Sequence, residues 1–324
     1  MRVLVTGGAG YIGSVVTARL LADGHEAIVV DDLSTGHEDA VPPGAEFHRL
    51  SIAALDPVLG DWNVDAVIHL AAKSLVGEST VEPAAYWRNN VVGTIALLDS
   101  LRAHGVGRIV FSSSAATYGH SDVQPIVEDV PARPTNPYGA TKLAIDLLLT
   151  DYAAAYGLVA TSLRYFNVAG ALDAGAEGGP AWYGERHDPE THLIPNALKA
   201  VAGERDALQL FGTDYPTPDG TCVRDYVHVT DLADAHVRAL ASGTPGEHRI
   251  VNLGSGDGYS VREVLDTIAR VTGTPVPVTE EPRRAGDPPV LIASNARAEE
   301  QLGWRPTRDL ASMIEDAWNS RQSR

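Results

Sequence analysis

The sequence of 324 residues predicts an α/β protein: a doubly wound parallel sheet followed by a smaller, mixed α/β C-terminal part. Three observations predict it. Short β-branched runs alternate with helical patterns through the first half, which argues for parallel strands with helices on both faces. A glycine turn, Thr6-Gly7-Gly8-Ala9-Gly10-Tyr11-Ile12-Gly13, joins the first strand to the first helix. After Asn167 the texture changes to Gly, Ala and Pro-rich stretches mixed with short helical patterns.

Residues 3–6 read as the first strand. The first helix starts in the glycine turn and carries Ile12, Val15, Val16, Leu20 and Leu21 on its apolar side. Strands follow at 26–30, 66–70, 108–112 and 159–165, with helical patterns over 84–104 and 138–156. Residues 169–188 read as a long loop, a kind that often serves as a functional lid. A helix is expected over 192–204 and a Pro/Asp turn cluster over 214–220. Segments 227–240 and 249–253 could return to the first domain, and the tail from about residue 260 mixes helices with short strands. The expected division is 1–168, with a return segment 226–256, and 169–324. In such sheets ligands bind at the carboxyl ends of the strands.

A formal charge of −17 argues against nonspecific binding to nucleic acid or anionic membranes. Cys222 is the single cysteine, so no internal disulfide forms, which fits a reducing compartment. No charged segment followed by an apolar one precedes the first strand, and the apolar runs are too short to cross a bilayer. A cytoplasmic location is expected. The 11 histidines show no H-x-x-H or H-x-x-x-H spacing, so no metal site is expected. His69 and His228 read as satisfied core histidines and Cys222 as a small packing residue.

Gly7, Gly10 and Gly13 form a G-x-x-G-x-x-G turn, the Rossmann-like signature that lets backbone approach a pyrophosphate at a helix start. Alone it also fits an ordinary tight connection. Asp31 ends the second strand 18 residues after Gly13, where a carboxylate accepts from a ribose diol and repels a 2′-phosphate. NAD is therefore favoured over NADP. Asp32 either assists or caps the next turn, and Arg49 reads as a surface residue.

Residues 110–114 form an apolar strand running into serines, which either bond a reacting oxygen or make a turn. Downstream stands Tyr138-Gly-Ala-Thr-Lys142. A Tyr and a Lys at i, i+4 share a helix face. At about 4 Å and an effective dielectric of about 20, their attraction is about 4 kcal/mol, or up to roughly three pKa units off the phenol. Such a Tyr serves as a general base. In isolation Tyr138 also reads as a first-turn aromatic and Lys142 as its solvated neighbour. The joint order of glycine turn, Asp31, serine strand and Tyr-x-x-x-Lys points to a nicotinamide enzyme that moves a proton from a hydroxyl and a hydride from its carbon.

In these motifs the chain resembles the extended short-chain dehydrogenase/reductase family and, within it, the UDP-glucose 4-epimerases. The resemblance runs from residue 1 to about residue 318. It also rests on Val67-Ile-His-Leu-Ala-Ala72, Asn89-Asn-Val-Val-Gly-Thr94, Leu163-Arg-Tyr-Phe-Asn167, Val223-Arg-Asp-Tyr-Val-His-Val229 and Pro282-Arg-Arg-Ala-Gly-Asp287. The stretch Phe211-Gly-Thr-Asp-Tyr-Pro-Thr217 discriminates more than the glycines do.

The resemblance implies reversible C4 epimerisation of a UDP-hexose through a 4-ketosugar, with a retained NAD. It implies Tyr138 as base, Ser114 as hydrogen-bond partner of the 4-oxygen, and Lys142 as the residue that tunes Tyr138 and holds the nicotinamide ribose. It places Tyr11, Ile12, Leu70, Ala71, Ala72, Asn89 and Phe166 along the cofactor. It places Asn167, His192, Leu193, Gln209, Phe211, Arg224, Arg284 and Asp287 on the UDP-sugar side. Many members carry an Asp for the adenine in the segment matching Leu50-Ser51-Ile52; here Ser51 stands in that place, which either weakens the contact or makes it through hydroxyl or backbone, with Ile52 beside it. Leu291 falls where members differ in bulk near the sugar. Related dehydratases carry an Asp-Glu pair where this chain has Ala115 and Ala116, which cannot transfer protons, so dehydration is disfavoured. Action on a UDP-uronate or a UDP-N-acetylhexosamine stays open, as do a plain dehydrogenase and a nucleotide sensor. The family implies a homodimer of paired helices, with apolar stripes Val91, Ile95, Leu98 and Leu143, Leu147 as candidates.

Overall fold

The computed structural model describes residues 1–175, 181–284 and 287–323. The first half runs β1 Arg2–Thr6, α1 Tyr11–Ala22, β2 Glu26–Asp31, β3 Glu46–Arg49, α2 Asp56–Leu59, β4 Ala66–His69, α3 Val76–Val81, α4 Pro83–Tyr86, α5 Gly93–Ala103, β5 Arg108–Ser114, α6 Pro137–Tyr156 and β6 Val159–Tyr165. The second half runs β7 Asn167–Ala169, β8 Ala171–Asp173, β9 Trp182–Gly184, α7 Leu193–Val201, β10 Leu208–Phe211, β11 Val223–Arg224, β12 Tyr226–His228, α8 Val229–Leu240, β13 His248–Leu253, β14 Tyr259–Ser260, α9 Val261–Thr272, β15 Val278–Glu281, β16 Val290–Leu291, α10 Ala296–Leu302 and α11 Leu310–Gln322.

Seven parallel strands form the central sheet in the order β13-β6-β5-β4-β1-β2-β3. The chain leaves β1 towards one edge and returns through β4 towards the other, so the order reverses between β1 and β4. Their carboxyl ends diverge there and open a crevice. The central strands carry continuous apolar runs because both sheet faces are covered. On one face Val15, Val16 and Leu20 of α1 pack with Leu232, Ala235 and Ala239 of α8. On the other, Leu97, Leu98 and Leu101 of α5 pack with Ile145 and Leu149 of α6. A third core joins α7, α9 and α11 through Ile194, Leu198, Val264, Ile268, Met313 and Ile314.

The segment 249–253 does enter the sheet, as β13 beside β6. β3 was not expected: Glu46-Phe-His-Arg lies on the sheet edge and lacks a buried apolar run. The segment read as a loop over 169–188 contains an antiparallel pair, with Leu172 opposite Tyr183, while residues 176–180 of that reading lie outside the described residues. The helical pattern over 84–104 is interrupted by a π-helical turn at Trp87–Val92. The apolar stripes divide differently from expectation. Leu98 is buried in the core and Val91 packs against it, whereas Val92, Ile95 and Leu147 are exposed. The stripe periodicity is the same for both faces of a helix that lies on a sheet, so only packing separates them.

Among the described residues no helix is long and apolar enough to cross a membrane. His69 is buried between Thr6 Oγ1 at 2.7 Å and Thr94 Oγ1 at 2.9 Å, and burial lowers its pKa to about 3, so it is a neutral core histidine. His228 is buried too; its Nδ1 accepts from Thr230 N at 3.1 Å and its Nε2 lies 3.0 Å from Asp316. Cys222 is buried, as a packing residue would be.

Candidate active site

The crevice between β1 and β4 is walled by the glycine turn and by Leu70, Ala71 and Ala72. Gly7 has φ +75 and Gly7 N donates to Val30 O at 2.8 Å, which turns the chain tightly into α1. A Cβ on Gly13 would sit 2.1 Å from Gly7 O, against backbone that cannot give way. Among the described residues no side chain caps α1 and no acid stands in its first turn, so the N–H groups of Tyr11, Ile12 and Gly13 begin a helix end suited to an anion. Gly13→Ala is expected to prevent this turn from closing. Its Tm should fall by several degrees, and bound NAD measured after heat release should drop well below that of the parent chain.

Asp31 is buried at the end of β2. Its Oδ2 accepts from Ala9 N at 3.0 Å and its Oδ1 from Leu33 N at 2.8 Å. Burial is the main influence on its carboxyl and pushes the pKa up, against those two hydrogen bonds. Each oxygen keeps acceptor capacity for a diol. Leu33, held by Asp31, has φ +60, a conformation rare outside glycine. Nothing in sequence periodicity signals that. Asp32 is exposed and accepts from Ser34 N at 2.9 Å, the turn-capping alternative. Ser51 Oγ accepts from Ala53 N at 3.4 Å and the side chain of Ile52 is buried, so only the backbone of Ile52 is offered to a ligand. Asn89 Nδ2 donates to Asn90 Oδ1 at 3.0 Å, and Asn90 clasps Lys73 through its N and O at 2.8 and 3.0 Å. Arg49 is exposed. The turn, the helix end and the buried carboxylate together fit a dinucleotide.

Ser114 ends β5 and Tyr138 stands in the first turn of α6. Asn136 caps α6 by accepting from Gly139 N at 2.9 Å, with Pro137 at the first helical position. A Cβ on Gly139 would lie 2.4 Å from Ala116 O, so glycine is what lets the helix start press against the turn after Ser114. That approach sets Tyr138 near Ser114, whose hydroxyl lowers the pKa of the phenol. Ser114 Oγ also accepts from Ala116 N at 3.1 Å.

Lys142 is buried one turn on. Its Nζ donates to Ser112 O at 2.7 Å and lies 4.8 Å from the Phe111 ring centroid and 5.8 Å from that of Tyr138. Burial lowers its pKa to about 7, partly opposed by Asp146. Asp146 itself accepts from Arg164 Nη2 at 2.8 Å, a buried pair that sequence reasoning missed. The expectation that Lys142 depresses Tyr138 is not met in this geometry: burial raises Tyr138, and the relief comes from Ser114. The reason is direction, since Lys142 is turned to the Ser112 carbonyl under the strand.

The strand β6 delivers Phe166 and Asn167 beside this group, both half-buried, and Asn167 Nδ2 donates to Asp225 O at 2.8 Å. Pairing of β11 with β16 sets Arg224 opposite Leu291, and Arg224 Nη2 donates to Asp287 Oδ1 at 3.0 Å. The Arg284 guanidinium lies 3.9 Å from the Phe211 ring centroid. Gln209 is exposed on β10 and Leu193 is half-buried at the start of α7. The ring of His192 is committed to Glu185 and Glu190. Tyr11 OH donates to Gly170 O at 2.6 Å, so its side chain ties the glycine turn to the second half.

A parallel sheet with a pyrophosphate-type turn and a Ser-Tyr-Lys group at its carboxyl edge fits an NAD-dependent enzyme that takes a hydride from a hydroxyl-bearing carbon. The chain belongs to the NAD-dependent epimerase/dehydratase family, whose model matches residues 3–254. It is 54% identical to the UDP-glucose 4-epimerase of Corynebacterium glutamicum over 98% of this chain and 95% of that one. Among solved structures it is similar to the UDP-glucose 4-epimerase of Brucella ovis in complex with NAD (TM-score 0.92, 48% identity, 98% of this chain and 97% of that one). It is also similar to the enzyme of Bifidobacterium longum in complex with NAD+ and UDP (TM-score 0.92, 36% identity, 99% and 98%).

Proposed function

We propose that the protein interconverts UDP-glucose and UDP-galactose by reversible inversion at C4, using NAD. The observation that carries this reading is the Ser114–Tyr138–Lys142 group at the carboxyl end of β5, beside the crevice that fits a dinucleotide. Full-length similarity to UDP-glucose 4-epimerases supports it. NAD, held by the glycine turn, Asp31 and the residues from Leu70 to Ala72, would accept and return a hydride at the sugar C4.

Tyr138 takes the proton of the 4-hydroxyl and gives it back after the ketosugar has turned. Ser114 holds the 4-oxygen and steadies Tyr138. Lys142 positions the ribose side of the cofactor. Ala115 and Ala116 offer no acid for water loss. Arg224 and Arg284 offer charge-assisted bonds to a diphosphate, and Asp287 an acceptor for a ribose.

Purified protein incubated with UDP-galactose, without added NAD, should yield UDP-glucose on chromatography. No conversion, with or without NAD, would sink the reading and turn attention to UDP-uronates.

We further propose a homodimer and a cytoplasmic location. Val92 just before α5, Ile95 in its first turn and Leu147 on α6 are exposed apolar side chains that a second copy would cover. Light scattering should give twice the 34.3 kDa chain mass, and Leu147→Glu should move it towards one. A monomeric parent at micromolar concentration would sink the dimer.

A further inference from the structure

β9 ends at Gly184 and α7 begins at Leu193. Between them the chain reads Glu185-Arg-His187-Asp-Pro-Glu190-Thr-His192, with five side chains of metal-ligating type in eight residues, four of which converge. One ligand atom from each lies within 4.8 Å of all the others. His187 Nδ1 and His192 Nδ1 are 2.8 and 2.6 Å from Glu185 Oε1, and His192 Nδ1 is 3.1 Å from Glu190 Oε1. The two carboxylate side chains are only 8% and 3% exposed. We propose that Glu185, His187, Glu190 and His192 form a four-coordinate site for a divalent transition metal, Zn²⁺ above all.

The donor chemistry selects the ion. Two imidazole nitrogens and two carboxylate oxygens suit Zn²⁺ at bonds of about 2.0–2.2 Å, whereas Mg²⁺ and Ca²⁺ take oxygen ligands. Tetrahedral bonds of that length set the donors about 3.3–3.6 Å apart. The present hydrogen-bond separations need open by less than about 1 Å to admit the ion. In the ion-free cluster the imidazoles pair with both carboxylates; a dication would take over that charge balance, with the imidazoles releasing their protons to act as neutral ligands.

The outer shell is also in place. Glu190 Oε1 accepts from Thr191 N at 2.7 Å and His192 N at 2.8 Å, which fixes its orientation. The Tyr11 ring meets His187 edge-on with centroids 6.4 Å apart. Arg186, within the same loop, forms a two-point bond to Asp39 at 2.7 and 2.8 Å. His37 Nε2 lies 3.2 Å from Arg186 O. A metal here would stiffen the loop that ties the second half to the cofactor-side loop and starts α7. The role is structural, apart from proton transfer at Tyr138. Histidine spacing alone does not reveal it, because the two imidazoles stand five residues apart with Asp188 and Glu190 between.

The test uses untagged enzyme, stripped with chelator and refilled with Zn²⁺ or Co²⁺ alone. Elemental analysis should find one Zn²⁺ per chain after desalting. Co²⁺ should give the intense visible bands of a four-coordinate centre. His187→Gln keeps a hydrogen bond to Glu185, and its Zn²⁺ affinity should fall by more than the roughly 10–100-fold that loss of an outer-shell partner costs. Zn²⁺ should raise the Tm of the parent chain and not that of the variant. No stoichiometric Zn²⁺ and no four-coordinate Co²⁺ spectrum in the parent would overturn the site. Equal binding by parent and His187→Gln would do so as well. If His187→Gln fails to fold, the Co²⁺ spectrum of the parent decides alone.

Discussion

Replacing Tyr138 by phenylalanine is expected to lower kcat on UDP-galactose by about 10²–10⁴-fold, the range that a positioned acid–base group supplies. The change removes one oxygen and leaves the ring, so α6 and its Asn136 cap stay as they are. KM should move far less than kcat, because the hydroxyl acts on the proton that leaves the sugar rather than on the nucleotide. Burial raises the pKa of Tyr138, and the nearby Ser114 hydroxyl lowers it. A base works deprotonated, so kcat of the parent should climb with pH until the phenol has ionised. Ser114→Ala takes away the lowering influence and should shift that limb to higher pH. A Tyr138→Phe variant that retained more than a tenth of the activity would remove Tyr138 from the role of base.

Lys142→Met should abolish turnover and yet stabilise the cofactor-free chain. Lys142 is 2% exposed, and its pKa is lowered from 10.5 to about 7, first by burial. The folded chain therefore holds this proton less tightly than the unfolded chain does. Between about pH 7 and 10.5 the unfolded state binds more protons, so stability rises with pH across that window. Below pH 7 the full penalty applies, with an upper bound of about 5 kcal/mol at about 1.4 kcal/mol per unit. Met fills the same space without a charge. Its gain in Tm over the parent should be largest at pH 6 and shrink towards pH 10, as read by thermal unfolding after cofactor removal. A constant difference across that range would mean that Lys142 does not titrate on unfolding as described. The destabilising cation is then the cost of an active site built into a core.

Much of this was legible in the chain. Continuous apolar runs gave β1, β2, β4, β5 and β6, since strands covered on both faces need no polar alternation. The glycine turn and Asp31 were readable because a tight strand-to-helix connection demands glycine and a carboxylate at a strand end stands out by its spacing. Ser114, Tyr138 and Lys142 were readable as residue types in order, 24 and 4 positions apart. The edge strand β3 and the pair β8–β9 were not, because short edge strands leave little apolar signal. Val91 and Leu98 could not be told from Val92 and Ile95 by period alone.

The sequence by itself determined the fold class and set out the glycine turn, Asp31 and the order Ser114, Tyr138, Lys142, because each rests on local residue types at short spacing. Only the tertiary structure decided where charge points. It turned Lys142 to the Ser112 carbonyl, paired Asp146 with Arg164, and set Arg224 against Asp287. It also gathered Glu185, His187, Glu190 and His192 within 4.8 Å. Such directions depend on which strands pair and which helix starts press on them, and on burial that makes each charge seek its partner. No one-dimensional spacing records either.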